Sequence, residues 1–301
     1  MKFITFRNPD GEQRGGWLKE NGVVDMELAC QGELPASIRE LLERQEQYMP
    51  VIHSIDKNVL PTYSTDEIEL RAPLPTPCTF RDFVAFETHV KNASSTHGNT
   101  VAPEWYEIPI FYFSNPNSMR GPGEEVARPK KCVKLDYELE LACIIGKEGK
   151  NIKASDAEEY IFGYTILNDW SARDLQAKEM KVLLGPAKGK DFATSIGPWI
   201  VTKDELNKYK IGDKFDLEMT AKINGEVWSH GNFKDIYYSF GQMIERASED
   251  VTLYPGDIIG SGTVGFGCIL ELGTEEYRWL EPGDVVELEI TGLGVLKNKI
   301  V

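Results

Sequence analysis

Residues 135–145 spell LDYELELACII, a stretch that changes character halfway. At first acidic and apolar residues alternate. Asp136, Glu138 and Glu140 fall on one face of an extended strand, and Tyr137, Leu139 and Leu141 fall on the other. The run ACII then follows, as expected of a central strand covered on both faces. Three like charges on one face of such a strand repel unless something neutralises them. A hard divalent cation does so, since Mg2+, Mn2+ and Ca2+ all prefer oxygen ligands. A solvated strand face is the plainer alternative, and the Glu-x-Glu spacing alone does not exclude it.

A second acidic stretch, GYTILNDWSARDLQ at 163–176, follows at a spacing typical of a βαβ unit. An apolar strand ends at Asn168–Asp169, and a helix is predicted from Ser171 to about Lys181. Asp169 is placed either to reach into a cleft or to cap that helix. Arg173 and Gln176, three apart, share a helix face. They point at whatever Asp169 binds, or Arg173 merely pairs with Asp174 or Glu179. A third stretch, RDFVAFETHV at 81–90, holds Asp82 and His89. Of the four histidines (His53, His89, His97, His230), His89 has the acidic and aromatic neighbours expected of a general base. His97 falls in a polar run that reads as a loop. Lys190 lies among glycines in GPAKGKDF, and Thr263 lies in the glycine-rich GSGTVGFG. Glu271, flanked by Leu270 and Leu272, needs a partner, for which His89 is a candidate.

Working outward, strands are expected at Lys134–Ile145, Phe162–Asn168, Pro198–Thr202, Phe215–Ile223, Ile258–Gly262 and Val285–Leu296. YPGD (254–257) and EPGD (281–284) are turns that each precede a strand. Ser155 with Glu158 forms a capping-box pattern for a short helix, and another helix covers about Ser239–Ala247. Residues 1–29 read as a small antiparallel meander, and 34–48 as a polar helix with Ile38, Leu41 and Leu42 on one side. The Pro-rich RAPLPTPC starting at Arg71 is an extended linker. It divides a small N-terminal domain (1–70) from a metal-binding catalytic domain (71–301).

The 301-residue chain is 41% hydrophobic and 27% charged, an ordinary globular composition. Its formal charge of −15 argues against nucleic acid or an anionic membrane as partner, though not against a small anionic substrate. The five cysteines include no CxxC pair, so they suggest neither a zinc site nor a disulfide framework. No signal peptide or membrane span is evident, since a span needs about 18 apolar residues in a row. A cytoplasmic location is the expectation.

Taken in order, these stretches resemble the fumarylacetoacetate hydrolase family over roughly 78–300. The resemblance rests on D-x6-H at 82–89, DYELELA, GYTILNDWSARDLQ, GPAKGKDF, GSGT at 260–263 and LEL at 270–272. It implies an α+β, predominantly β fold, a mixed β-sandwich roll of the fumarylacetoacetase C-terminal type, assembled as a homodimer. It also implies an Mg2+, Mn2+ or Ca2+ ion held by Asp82, Glu138, Glu140 and Asp169. His89 would be the general base oriented by Glu271. Arg173, Gln176 and Lys190 would stabilise developing negative charge, and Thr263 and Tyr112 would contact the substrate. The late LEL glutamate resembles the hydrolase branch, whose implied reaction is hydrolysis of a carbon–carbon bond in a β-diketone or acylpyruvate-type acid. Decarboxylation, isomerisation or hydration of a 2-oxo acid is the alternative on the same scaffold, and a catalytically inert metal-binding scaffold is a third. The animal enzymes carry tyrosines where this chain has Val84 and Met180, which points away from fumarylacetoacetate itself as substrate.

Overall fold

The apolar half of 135–145 becomes a central strand because both of its faces find a core. A computed structural model describes residues 1–96 and 98–301, so the loop expected at His97 lies outside the described residues. In this structure Leu139–Ile145 runs between Ile161–Asp169 and Ile258–Gly260, wholly buried. Leu139, Leu141, Cys143 and Ile145 enter one core, while Ala142 and Ile144 enter another. Period-2 alternation of polarity has no reason to persist where neither face meets water.

Across the main sheet the strands run Gly22–Asp25, Gln13–Lys19, Lys2–Arg7, Thr194–Thr202, Ile161–Asp169, Leu139–Ile145, Ile258–Gly260, Phe80–Phe83 and Phe111–Phe113. Along this path the pairings are antiparallel except for Ile258–Gly260 beside Phe80–Phe83, which is parallel. A second sheet orders Glu226–Asn232, Glu218–Ile223, Val285–Ile290, Gly294–Ile300 and Glu125–Val126. Its Met219, Ala221, Leu288 and Ile290 share the first core with Leu139 and Leu141. Two packed, mostly antiparallel sheets with few helices are the α+β, predominantly β architecture expected. Residues 1–70 are woven into the same sheet: Lys2–Arg7 pairs with Thr194–Thr202 on one side and the meander on the other. The predicted meander is present, and Ile38, Leu41 and Leu42 are buried against Ala142, Ile144 and Leu167.

Several local expectations are corrected. The 34–48 helix is two helices, Ile38–Glu43 and Gln45–Asp56. The strand expected over 134–145 breaks at Tyr137–Glu138. Leu135–Asp136 pairs with Ser171–Ala172, and the Glu138 N–H donates to Asn168 Oδ1 at 2.9 Å. The 163–176 stretch does not complete a βαβ unit, because its strand is the direct antiparallel neighbour of Leu139–Ile145. The turn after it starts as the short strand Ser171–Ala172, and the helix begins at Arg173. No side chain among the described residues caps that helix, so Asp169 is free of the capping role. Ser155 opens no α-helix: its hydroxyl donates to Asp156, and Ala157–Tyr160 is a 3-10 turn. A capping box forms instead at Ser239 and Gln242, ahead of Phe240–Ser248. Val285–Leu296 is not one strand but a hairpin that turns at Gly292, where φ is +81°. Both Pro-Gly turns close alike, with Asp257 accepting from Tyr254 N and Asp284 from Glu281 N.

Candidate metal centre and active site

Neighbouring strands deliver the acidic residues to one place. Asp82 comes from Phe80–Phe83, Glu140 from Leu139–Ile145 and Asp169 from the end of Ile161–Asp169. Glu138 sits in the break just before its strand. Carboxylate oxygens of Asp82, Glu138 and Glu140 lie within 4.8 Å of one another, all buried. The strand Ile258–Gly260 allows this crowding only because residue 260 is glycine. A Cβ there would overlap Asp82 Oδ1 and come within 3.2 Å of Glu140 Oε2. Glu140 is fixed by the Gly262 N–H at 3.0 Å, with Thr263 Oγ1 3.5 Å from its other oxygen.

Two buried cations join the acids. Lys190 Nζ donates to Glu138 Oε2 at 2.5 Å and to Asp169 Oδ2 at 2.6 Å. The Tyr112 hydroxyl donates to the same Asp169 oxygen. Arg173 spans Asp136 Oδ2 and Glu138 Oε1, each at 2.8 Å, and its third nitrogen donates to Gln176 Oε1 at 3.2 Å. Asp136, third acid of the alternating face, therefore holds Arg173 and is not in the cluster. It also accepts the Ile269 and Leu270 N–H groups at 2.8 and 3.1 Å, tying the short helix Ile269–Leu272 to Arg173.

That short helix carries Glu271, whose Oε1 lies 2.6 Å from His89 Nδ1. Its Oε2 accepts from Asn92 Nδ2 at 2.9 Å and from the Phe266 N–H at 3.0 Å. His89 and Asn92 occupy one face of the helix Glu87–Thr96, which includes most of the polar run read as loop. All eleven residues singled out from sequence thus meet in one region of the fold.

The electrostatics are unbalanced. Five buried carboxylates (Asp82, Asp136, Glu138, Glu140, Asp169) face two buried cations, Arg173 and Lys190. Burial pushes Asp82 well above the usual carboxylate range, and the Asp169 charge pushes it further. Glu140 is raised well above that range by burial and then by Asp82 and Glu138. Burial also raises Asp169, against the opposing pull of Lys190. Glu138 goes the other way: burial opposes its ionisation, but Lys190 and then Arg173 outweigh burial and hold it below the ordinary range. Burial disfavours the Lys190 ammonium too, yet Asp169 and Glu138 keep it protonated. Asp82 Oδ1 and Asp169 Oδ1 are buried with no hydrogen-bond partner among the described residues. An all-oxygen donor set with surplus negative charge and two unpartnered buried oxygens fits a hard divalent cation.

Four supporting residues escaped the sequence analysis. Asn92 was within reach, three residues beyond His89. Asn168 orients Glu138 from across the sheet, and no spacing rule announces it. Gly260 acts by lacking a side chain. Glu179, expected only as a surface partner of Arg173, gathers the N–H groups of Ala187, Lys188 and Gly189 at 2.8, 2.8 and 3.1 Å, pinning the turn that presents Lys190.

Comparison with known proteins accords with this geometry. Residues 78–301 match the model described as fumarylacetoacetate (FAA) hydrolase C-terminal. The chain is 33% identical over 310 residues to the human protein named oxaloacetate tautomerase FAHD2A, mitochondrial, covering 100% of this chain and 92% of the relative. Among solved structures, the fumarylacetoacetate hydrolase of the psychrophile Exiguobacterium antarcticum superposes with a TM-score of 0.79 at 28% identity, covering 100% of this chain and 99% of the other. The 5-carboxymethyl-2-hydroxymuconate delta-isomerase of Mycobacterium smegmatis does so at 0.72 and 25%, with coverage of 100% and 99%. With the match extending over the whole sandwich and every site-bearing strand, the chain belongs to the fumarylacetoacetate hydrolase family.

Proposed function

We propose that the chain catalyses proton transfer at the carbon beside the keto group of a small 2-oxo dicarboxylic acid, interconverting enol and keto forms of an oxaloacetate-like substrate. One observation carries this reading, namely the His89–Glu271 pair beside the carboxylate cluster. Glu271 fixes the imidazole from Nδ1 and leaves Nε2 as the nitrogen that exchanges a proton. Asp82, Glu138, Glu140 and Asp169 would hold a divalent ion, which would supply Lewis acidity to the substrate.

The chain's own groups do the rest. His89 Nε2 takes the proton from the enol oxygen or from carbon and returns it at the other position, and Glu271 stabilises the imidazolium between the two steps. Lys190 and Arg173 place positive charge beside the negative charge that develops on the substrate. Gln176 accepts from Arg173 through Oε1, so its amide N–H groups are the end available to a ligand. Tyr112 and Thr263 flank the cluster as substrate contacts. The similarity to an oxaloacetate tautomerase along the whole chain supports this reaction over others on the scaffold.

The second reading is hydrolysis of a carbon–carbon bond in an acylpyruvate or related diketo acid. It is favoured by the likeness to the Exiguobacterium hydrolase and by the same base, which would deprotonate water instead of carbon. Purified protein with Mg2+ or Mn2+ decides between them. Accelerated decay of the enol absorbance of oxaloacetate, with acylpyruvates left intact, is expected. Release of pyruvate and a second acid from acylpyruvates would establish the hydrolase instead. Conversion of oxaloacetate to pyruvate and carbon dioxide, with acylpyruvates intact and no faster enol–keto exchange, would remove both.

A further inference from the structure

Behind His89, a second set of metal-ligating atoms closes around Glu271. Cys268 immediately precedes the helix Ile269–Leu272, and its Sγ lies 3.5 Å from Glu271 Oε1. The same oxygen is 2.6 Å from His89 Nδ1, and one ligand atom from each residue lies within 4.8 Å of the others. Cysteine spacing along the chain gives no hint of this group, because its histidine comes from a helix on the far side of the domain's sequence.

The donor set is nitrogen, sulfur and oxygen, where the main centre offers oxygen alone. Hard Mg2+ has little affinity for a thiolate, whereas Zn2+ takes Cys, His and carboxylate together in a tetrahedral site. Asn92 and Phe266 hold Glu271 by Oε2, which keeps Oε1 turned toward the thiol and the ring. A thiolate and a carboxylate together neutralise a divalent ion. Burial and then Asp136 push the Cys268 thiol well above its ordinary range against the pull of Arg173, so the thiol proton leaves only as the metal binds. Cys268 and the Glu271 side chain are inaccessible, and His89 is 8% exposed, so entry is past the imidazole.

We propose that His89 Nδ1, Cys268 Sγ and Glu271 Oε1 form an inhibitory site for a thiophilic divalent cation such as Zn2+, distinct from the oxygen-only centre. Binding moves the proton shared by Nδ1 and Oε1 to Nε2, so that a neutral imidazole offers Nδ1. It releases the thiol proton, forms bonds to nitrogen, sulfur and oxygen, and leaves the fourth position to water. No electron is transferred. Occupancy breaks the His89–Glu271 hydrogen bond and locks the ring. Inhibition rests on the proposed role of His89, whereas binding does not.

Cobalt tests binding without reference to turnover. With Mg2+ in excess, Co2+ titrated into the whole protein is expected to give a near-ultraviolet thiolate-to-cobalt charge-transfer band that Zn2+ abolishes. The band should be absent from Cys268→Ser, or from Cys268→Ala should the serine variant fail to fold. No band in the wild-type protein, or a band that survives in the folded variant, overturns the site. In the turnover assay, Zn2+ should inhibit wild-type protein in the presence of Mg2+. The Cys268 variant should keep its zinc-free rate and resist Zn2+ by about tenfold or more, since losing even an outer partner costs a metal site that much. A cobalt band in protein whose turnover ignores zinc keeps the binding site and removes His89 as the proton carrier.

Discussion

Arg81 and Asp82 are adjacent on one short strand, point to opposite faces, and are equally buried, yet they live in opposite electrostatic circumstances. On the Arg81 side every charge is answered. Arg81 donates to Thr79 Oγ1 at 2.6 Å, Thr79 donates to Asp257 Oδ1 at 2.6 Å, and Arg81 lies 3.7 Å from Asp257 and over the Phe113 ring. On the Asp82 side acids outnumber cations, and Asp82 Oδ1 has no hydrogen-bond partner among the described residues. Burial alone therefore does not mark a functional group. A buried charge whose neighbours fail to compensate it does, because folding gains nothing from leaving it so.

The largest effect that bears on this contrast lies just beyond Asp82. His89→Ala is expected to lower kcat by about 10²–10⁴-fold. Divalent-ion affinity, measured by calorimetry, should be nearly unchanged, and parallel loss of both would merge the base with the ligand set. Glu140→Gln should do the reverse, weakening metal binding by on the order of 100-fold. Added Mg2+ or Mn2+ should then raise Tm far less than in the wild-type protein, and an undiminished rise would place the ion elsewhere.

Stability separates the two faces of the strand directly. Asp257→Asn strands the Arg81 guanidinium and should cost about 3–5 kcal/mol in denaturant unfolding, with or without metal. Asp82→Asn removes a carboxyl whose ionisation burial already disfavours, so in metal-free protein it should be neutral to within about 1 kcal/mol. Its cost should emerge only when metal is present. The pH dependence follows the same logic. Asp82 and Glu140 have folded-state values raised above the unfolded carboxylate value of about 4. The folded state thus binds more protons than the unfolded one, and metal-free stability falls as pH rises from there through the folded values. Saturating metal should flatten that slope. Equal slopes with and without metal would contradict the surplus-charge account.

The smallest effect concerns positioning. Glu179→Gln weakens the hold on Ala187, Lys188 and Gly189 and lets Lys190 drift. It should lower kcat roughly tenfold, less than the 10²-fold that a full ångström of misplacement can cause. Metal affinity and Tm should barely change, and a KM effect without a kcat effect would assign Glu179 to binding instead.

Much of this site was legible because it is written in short local patterns. The Glu-x-Glu alternation, Asp169 at a strand end, and Arg173 with Gln176 on one helix face are all one-dimensional signals, and the structure brings them together. What was not legible depends on pairings between distant segments. The Asp136 carboxylate looked equivalent to Glu138 and Glu140, and only the Ser171–Ala172 pairing shows that it serves Arg173 instead. Asn168 matters because its strand lies beside Glu138 in antiparallel register, where the sequence suggested a crossover. Ser155 had the right spacing for a capping box, but its hydroxyl found Asp156 first. The β-rich character of residues 1–29 was readable, whereas their place in the main sheet, beside Thr194–Thr202, was not.

The parallel pairing of Ile258–Gly260 with Phe80–Phe83 also sets a timetable for biosynthesis. Asp82 leaves the ribosome early, but the strand that seats it beside Glu140 is made near the end of the chain. At about 5–20 residues per second that delay is on the order of tens of seconds. A nascent chain that already carries Asp82, Glu138, Glu140 and Asp169 still lacks the backbone that holds the first of them in place. A divalent ion bound at the proposed centre would therefore enter after synthesis, and the acid-rich sheet would spend its assembly without the charge that balances it.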